Sequence, residues 1–221
     1  MARLKYFPHL AGSLILGSAA LVGGNGLLDK WEPAKGTPEA ALVVYADKLA
    51  QGLPTVCNGV TKHVSSRPVI VGDVWTKEQC AQEETQALEK VQIKLASCFK
   101  VLPPQSVFDA ATSHAWNNGV GATCGSLAMK AWNQSNWNLG CTRIAYSDAG
   151  NRVWSYVKTG KIVNGKPEMK FVQGLANRRD DEMRLCKEGL KNVRPVSWME
   201  GETRYNYASF IEPVLLAPVR S

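Results

Sequence analysis

The sequence contains no apolar run long enough to cross a bilayer. Its most apolar stretch, residues 10–24, has fifteen residues and would reach only about 22 Å as a helix, against a hydrocarbon core of roughly 30 Å. Nine of the fifteen are Gly, Ala or Ser, so burying this stretch in lipid gains little free energy. At most, the segment can form a weak membrane anchor.

Other absences narrow the class of protein. The chain has only three histidines, and its six cysteines include no C-x-x-C pair, which argues against a zinc site. Six cysteines in 221 residues are too few for a miniprotein held mainly by disulfides. The composition, 45% apolar and 20% charged, is that of a folded protein rather than a disordered one. We expect one domain with a substantial core.

Positive charge is in excess. The chain has 26 Lys and Arg against 19 Asp and Glu, a net charge of +7. This surplus predicts attraction to an anionic partner, such as nucleic acid, a membrane surface or an acidic polymer of the cell wall. No concentrated basic stripe is present, and this absence disfavours nucleic acid.

The N-terminal segment has the layout of an export signal. Arg3 and Lys5 precede the apolar stretch, as a basic region precedes the apolar region of a signal. Three interpretations stay open: a signal peptide cleaved near Ser18 and Ala20, a weak anchor that can leave the bilayer intact, and a helix of the protein core. The first two send the chain out of the cytoplasm.

Export changes the interpretation of the cysteines. An even number of cysteines outside the cytoplasm predicts three disulfides, and the sequence alone leaves the pairing open. A catalytic thiol is the alternative, although one of the few histidines, His9, lies in the export segment. The cysteines are Cys57, Cys80, Cys98, Cys124, Cys141 and Cys186.

Hydrophobic spacing predicts a mainly helical α+β fold. Leu27, Leu28 and Trp31 indicate a short helix with Glu32 in its last turn. The β-branched residues and glycines of residues 42–60 indicate a small β-ribbon. A longer helix, through residue 99, begins with a capping box at Thr76. Further helices are expected at residues 106–117, 125–132, 136–146 and 174–190, with a loop or hairpin at 147–172 and an extended arm after the last helix.

Three residues near the ribbon could cleave a glycosidic bond. Such cleavage needs a carboxylic acid that protonates the leaving oxygen, and a carboxylate or positioned water on the other face of the sugar. Glu32, at the end of the first helix, and Asp47, on the ribbon, are the candidate carboxyl groups. Thr55 could position the water through its hydroxyl.

The residues around this trio resemble the catalytic segment of phage-type lysozymes, the glycoside hydrolase family that includes phage endolysins. In that family the acid ends a short helix, and Tyr-x-Asp and Thr-x-x-x-Gly follow on a β-ribbon. The matching blocks here are residues 26–32, 45–47 and 55–59, followed in order by 75–80, 116–119 and 174–186. The similarity covers about residues 26–190.

The resemblance implies a lysozyme-like domain with the small β-ribbon next to the catalytic cleft. The implied activity is that of a muramidase, which hydrolyses the β-1,4 bond between N-acetylmuramic acid and N-acetylglucosamine in peptidoglycan and causes host cell lysis. No metal or organic cofactor is implied, and we expect a monomer. Residues 26–190 would form the catalytic domain and residues 191–221 a C-terminal arm.

The resemblance extends to residues 1–25. They are similar to the signal-anchor-release element of phage endolysins, which holds the enzyme on the host inner membrane until it enters the periplasm. A marginally apolar segment suits such release, because it can leave lipid at low cost.

The resemblance also implies roles for single residues. Glu32 would be the general acid, Asp47 would assist the water or stabilise oxocarbenium charge, and Thr55 would orient the water. Asn117 would face the saccharide cleft, and Arg178 would bind substrate through the carboxylates of peptidoglycan. The alternatives are a helix C-cap for Asn117 and an ion pair on a solvated helix face for Arg178.

Glu39 is the competing acid. Fourteen residues separate Glu32 from Asp47 and seven separate Asp47 from Thr55, both more than in the family pattern, and Glu39 is closer to the expected spacing. We favour Glu32, because the apolar residues of the first helix would fix its position and raise its pKa.

On the same basis we expect the disulfides to join cysteines of neighbouring elements. The expected pairs are Cys57–Cys80, Cys98–Cys124 and Cys141–Cys186. Two other functions stay open: a lytic transglycosylase, which forms an anhydro sugar without water, and a non-catalytic protein that binds the cell wall.

Overall fold

The computed structural model describes residues 17–22, 26–31, 40–48 and 50–191. Its helices are α1 (Ala19–Val22), α2 (Leu27–Trp31), α3 (Lys77–Ala96), α4 (Gln105–Asn118), α5 (Val120–Cys124), α6 (Leu127–Trp132), α7 (Trp137–Thr142) and α8 (Gln173–Lys191), with a 3₁₀ turn at Ala40–Leu42. Its strands are β1 (Tyr45–Asp47), β2 (Leu53–Val56), β3 (Val60–Thr61), β4 (Tyr156–Val163) and β5 (Lys166–Phe171). The predicted α+β class is confirmed.

The predicted ribbon is a three-stranded antiparallel sheet in the order β1-β2-β3. Tyr45 pairs with Thr55, and Thr55 pairs with Thr61. On one face of the sheet, Val56 and Val60 are fully buried against α3 and the loop before it. Because successive strand residues point to opposite faces, Thr55 and its paired neighbours lie on the other face.

Helix α3 begins where the sequence predicts. The Thr76 hydroxyl accepts the Gln79 N–H at 3.2 Å, and the Gln79 amide oxygen accepts the Thr76 N–H at 2.8 Å. The helix ends at Ala96 rather than at residue 99. The chain turns at Ser97, and Phe99 packs into the core with 3% of its surface exposed.

The main core lies between α3, α4, α6, α7 and α8. Trp132 is fully buried at its centre and stacks on Phe99, with the ring centroids 5.9 Å apart. Phe108 of α4 is also fully buried. Each such side chain stabilises the fold by about 1.5–3 kcal/mol relative to exposure.

Three disulfides link neighbouring elements, and the expected pairing is confirmed. Cys57–Cys80 joins the sheet to α3, Cys98–Cys124 joins the end of α3 to α5, and Cys141–Cys186 joins α7 to α8. They close loops with sequence separations of 23, 26 and 45 residues. In the chain-entropy account each such closure is worth about 3–4 kcal/mol.

The second half of the chain differs from the prediction in two places. The helix predicted at residues 136–146 ends at Thr142, where the chain turns with Arg143 as C-cap, and α5 was not predicted. Residues 147–172 contain the hairpin of β4 and β5. Asn164 and Gly165 form its two-residue turn with φ of 51° and 74°, the conformation that a tight hairpin favours.

The described part of the N-terminal segment packs on the domain. Leu21 of α1 is fully buried with Leu27, Leu28 and Leu88. The Ser18 hydroxyl donates to the buried Asp109 carboxylate at 2.7 Å. Among the described residues, no helix has both the length and the apolar character needed to span a membrane. Residues 1–16, 23–25 and 192–221, which hold most of the predicted anchor and the arm, lie outside the described residues.

Candidate active site

A cleft of about 420 Å³ lies between the three-stranded sheet and the helices. One wall is the face of the sheet opposite its buried valines. The other wall comes from the middle of α3, the end of α4 and the start of α5. The lining residues used below are Asp47, Leu53, Thr55, Thr61, His63, Lys90, Lys94, Trp116, Asn117 and Gly119.

Strand register brings Asp47 and Thr55 to the same wall. Asp47 is paired with Leu53, two residues before Thr55 on β2. Residues two apart on a strand share a face, so Asp47, Leu53, Thr55 and Thr61 all point into the cleft. The diagonal pair Asp47 and Thr55 is therefore separated by roughly 7 Å or less between Cβ atoms. The sequence predicted both residues, and the structure places them together.

The Thr55 hydroxyl has a fixed orientation. Only 4% of the residue is exposed, and its Oγ1 donates to the carbonyl oxygen of Leu53 at 3.0 Å. With its hydrogen engaged, the hydroxyl oxygen can only accept a hydrogen bond from the cleft. A water there would donate one hydrogen to Thr55 and could direct the other to the Asp47 carboxylate.

Helix α4 supplies the facing wall. Trp116 is half-buried, and its indole N–H donates to the Asn58 carbonyl oxygen at 3.3 Å across the cleft. Asn117 follows, exposed and lining the cleft. The helix ends at Gly119, whose φ of 86° turns the chain into α5. Asn117 thus lies beside the cleft, and its contact with substrate stays a prediction.

Three basic or titratable side chains line the cleft without having been predicted. Lys90 and Lys94 lie one turn apart on α3, and His63 follows β3. The i, i+4 spacing of the two lysines beside buried Val91 signals a shared helix face. Only the packing of the sheet on α3 shows which wall that face meets.

Neither candidate acid lies within the described residues. Glu32 and Glu39 both fall in the undescribed segment 32–39. The residue before Glu32, Trp31, donates its indole N–H to Asp181 of α8 at 3.0 Å. Trp31 also packs in the same apolar cluster as Trp116 of the cleft wall. Helix α2 therefore shares one apolar cluster with a residue of the cleft wall.

Arg178 does not line the cleft, which corrects the prediction that it binds the carboxylates of peptidoglycan. It is 3% exposed, and its Nε lies 3.1 Å from Glu182. Its Nη2 donates to the Ser113 carbonyl oxygen at 3.1 Å. The alternative prediction, an ion pair with a neighbouring acidic residue of the helix, is right, because Arg178 pairs with Glu182. This ion pair is buried between α8 and α4 rather than solvated.

The family follows from this sequence and this geometry. The family model of phage lysozyme matches residues 39–182, about two thirds of the chain.

The chain belongs to the phage lysozyme family.

The resemblance to phage-type lysozymes is thereby confirmed, and the protein is a glycoside hydrolase of the lysozyme type with peptidoglycan as its substrate class. The similarity of residues 1–25 to a signal-anchor-release element stays a prediction. Among curated proteins, none matches the chain by sequence.

An endolysin structure with a TM-score above 0.5 has a fold similar to that of this chain. An endolysin from the Escherichia coli O157:H7 phage FAHEc1 is 26% identical, with a TM-score of 0.59, over 83% of this chain and 98% of its own. The muramidase domain of SpmX from Asticaccaulis excentricus is 20% identical, with a TM-score of 0.48, over 72% and 91%. The endolysin Lyz of phage P1 is 20% identical, with a TM-score of 0.49, over 76% and 84%.

The phage lysozyme match includes part of the predicted site. Asp47, Thr55 and Asn117 fall inside it, while Glu32 precedes it and Glu39 is its first residue. The roles of these residues and the choice between the two acids stay predictions.

Proposed function

We propose that this phage lysozyme family member is an endolysin that hydrolyses the β-1,4 bond between N-acetylmuramic acid and N-acetylglucosamine. The observation that carries the proposal is the shared face of Asp47 and Thr55 at the cleft wall. A carboxylate and an acceptor hydroxyl at this spacing can hold one water between them. The product is peptidoglycan cut within its glycan strands, which leads to lysis of the host cell.

The mechanism uses an acid, the Asp47 carboxylate and the Thr55 hydroxyl. A carboxylic acid protonates the leaving oxygen, and positive charge develops on the sugar ring. The Asp47 carboxylate stabilises that charge or takes a proton from the water. Thr55 orients the water because its own hydrogen is engaged by Leu53. Hydrolysis adds this water to the new sugar end, which distinguishes the reaction from that of a lytic transglycosylase.

We assign the acid to Glu32. The support is that Trp31, directly before it, donates to Asp181 of α8 and packs on the same leucine cluster as cleft-lining Trp116. A general acid needs a raised pKa, and apolar surroundings raise the pKa of a carboxyl group. Glu39 stays the alternative, because it directly precedes the 3₁₀ turn that leads to β1.

Zymography on gels containing sacculi tests the assignment. Glu32→Gln should abolish clearing, and Glu39→Gln should retain most of it. Full activity in Glu32→Gln with loss in Glu39→Gln would reverse the assignment. Binding to sacculi by the wild type with no release of reducing ends would favour a non-catalytic wall-binding protein.

The charge of the cleft supports an anionic substrate. Lys90 and Lys94 line the helix wall, opposite the sheet wall that carries Asp47. Peptidoglycan bears carboxylates on its peptide stems, and cationic walls attract them. We propose that the protein meets this substrate as a monomer.

We propose that the enzyme acts in the periplasm after a period on the inner membrane. Leu21 and Ser18 belong to the predicted anchor, yet both are buried in the domain. A weakly apolar segment with a second place of burial can leave lipid without exposing its leucines to water. Mass spectrometry of the periplasmic protein should detect residues 1–25. A mature N terminus after Ala20 would show cleavage instead.

A further inference from the structure

A second groove, of about 320 Å³, lies between the β1–β2 turn and the hairpin of β4 and β5. Its lining residues are Lys48, Gln51, Lys158, Thr159, Gly160, Lys161, Ile162 and Pro167. The first two come from the turn and the others from the hairpin of β4 and β5. The mechanism proposed above uses none of them.

The turn connects the groove to the catalytic wall. Asp47, Ala50 and Leu53 line the cleft, while Lys48 and Gln51 line the groove. Lys48 directly follows the proposed catalytic carboxylate in the chain. A polymer that lies in the cleft can therefore continue into the groove without leaving the protein surface.

The hairpin has a β-bulge where it lines this groove. Lys158 pairs with Met169 and Ile162 pairs with Pro167, so three residues of β4 stand opposite one of β5. Gly160, in the middle, has φ of 83°, a conformation that glycine adopts without strain. The bulge places Lys161 and Lys158 on the same groove wall.

The groove is cationic. Three of its eight lining residues are lysines, and none of these eight described residues is acidic. The nearest carboxylate on the hairpin, Glu168, accepts a hydrogen bond from the Thr159 hydroxyl at 2.6 Å. Beside the lysines, Ile162 is 67% exposed and offers an apolar surface to the face of a sugar ring.

We propose that this groove binds the glycan strand of peptidoglycan beyond the cleavage point, with its lysines on the carboxylates of the peptide stems. The inference rests on the proposed function, because it extends the same substrate. The three lysines act by charge, so the groove raises affinity for the intact wall rather than the rate of the chemical step.

The test compares two matched double variants of the full chain. Lys158→Gln with Lys161→Gln removes two groove charges, and Lys77→Gln with Lys130→Gln removes two charges from exposed positions that line neither cleft nor groove. Exposed ion pairs are individually weak, so we expect the groove variant to raise KM on sacculi by roughly three- to tenfold, with kcat unchanged. The control variant should change KM by less than about twofold.

Co-sedimentation with sacculi measures the groove independently of hydrolysis. The groove variant should bind more weakly than the control, and the difference should vanish on sacculi whose carboxyl groups have been converted to amides. Equal binding by the two variants would overturn the proposal that the groove binds peptidoglycan. Absence of reducing ends with the wild type would instead overturn the proposed function, and the two failures are thus distinguishable.

Vesicles containing phosphatidylglycerol complete the experiment. A loss of vesicle binding in the groove variant, with unchanged binding to sacculi, would assign the lysines to the membrane and overturn the proposal. Unchanged vesicle binding with weaker binding to sacculi is the result we expect.

Discussion

At the residue scale, the Thr55 hydroxyl is oriented before substrate arrives, because Leu53 accepts its hydrogen at 3.0 Å. Thr55→Val keeps the shape of the side chain and removes the oxygen that accepts the water. We expect kcat on sacculi to fall at least about a hundredfold, the lower end for loss of a positioned proton-transfer partner.

The conservative change is the control. Thr55→Ser retains the hydroxyl and should recover most of the activity, measured as the initial rate of turbidity loss. Equal rates for the valine and serine variants would show that the hydroxyl plays no part in the reaction.

His114 makes stability depend on pH. It is 2% exposed on α4, and its Nδ1 lies 2.8 Å from the Thr123 hydroxyl. Burial, together with the nearby cations Arg179 and Arg178, lowers its pKa well below 6.5. The native state thus holds His114 neutral while the unfolded chain takes up a proton below pH 6.5 or so.

The direction of the pH dependence of stability follows from this difference in bound protons between the native and unfolded states. Stability from a neutral His114 is fully present above about pH 6.5 and is lost as the pH falls below it, by at most about 1.4 kcal/mol per pH unit. His114→Gln cannot take up the proton, so its free energy of unfolding should fall less than that of wild type between about pH 7 and pH 5. Urea unfolding across this range checks it, with exposed His63→Gln as control. Parallel profiles for His114→Gln and wild type would contradict the account.

The residues of the site were predictable to different degrees. Asp47 and Thr55 are close in sequence and carried by a recognisable pattern, so their shared wall could be expected. Lys90 and Lys94 come from a distant helix, and only the packing of that helix on the sheet brings them to the cleft. The burial of Arg178 was not predicted, because adjacent charges on a helix indicate a solvated face. Here Glu182 and Ser113 accept the hydrogen bonds of its guanidinium group in the interior.

At the element scale, the contact between α6 and α7 depends on a missing side chain. A Cβ at Gly140 would lie 2.2 Å from Cδ1 and Nε1 of Trp132, which is fully buried. Gly140→Ala should therefore lower the free energy of unfolding by about 1–3 kcal/mol, as overpacking does.

A second helical glycine offers a matched control. A Cβ at Gly121 of α5 would meet no atom within 4 Å, so Gly121→Ala should leave stability unchanged or raise it by up to about 1 kcal/mol. Urea unfolding of the two variants gives the comparison. Equal stability would show that Trp132 moves aside without loss.

Elements with local signals were predicted well. The capping box of Thr76 and Gln79 marks the start of α3. Asn164 and Gly165 form the turn of the β4–β5 hairpin, within the segment predicted to be a loop or a hairpin. Helix α5 lacks such a signal. It has five residues and follows Gly119, and its place is fixed by the disulfide between Cys98 and Cys124.

At the scale of the whole molecule, the N-terminal segment is held by contacts far away in sequence. Ser18 donates to Asp109, and burial raises the pKa of that carboxyl while the hydrogen bonds from Ser18 and Gln105 lower it. Ser18→Ala would remove a donor from a buried acceptor and should lower the free energy of unfolding by about 1–3 kcal/mol.

Ser97→Ala is the control for this change. Ser97 is exposed, and its hydroxyl donates only to the Lys94 carbonyl oxygen of the same turn. Its loss should have little effect on thermal unfolding. Equal melting temperatures for the two variants would show that residues 17–22 do not stabilise the domain in solution.

The sequence could not predict where the N-terminal segment is buried. Its apolar, glycine-rich composition suits lipid, export or a protein interior about equally. The choice depends on whether α4 and Leu88 offer it a surface, and that is known only once the domain has folded. The net charge of +7 likewise indicated an anionic partner, and the cleft and groove lysines show where that partner can lie.

The most direct test of the central claim is digestion of purified sacculi in water enriched in oxygen-18, followed by mass spectrometry of the glycan fragments. The account predicts fragments that end in reducing N-acetylmuramic acid and carry one heavy oxygen, because the water held by Asp47 and Thr55 enters the product. Fragments that end in anhydromuramic acid without heavy oxygen, or an absence of fragments, would contradict it.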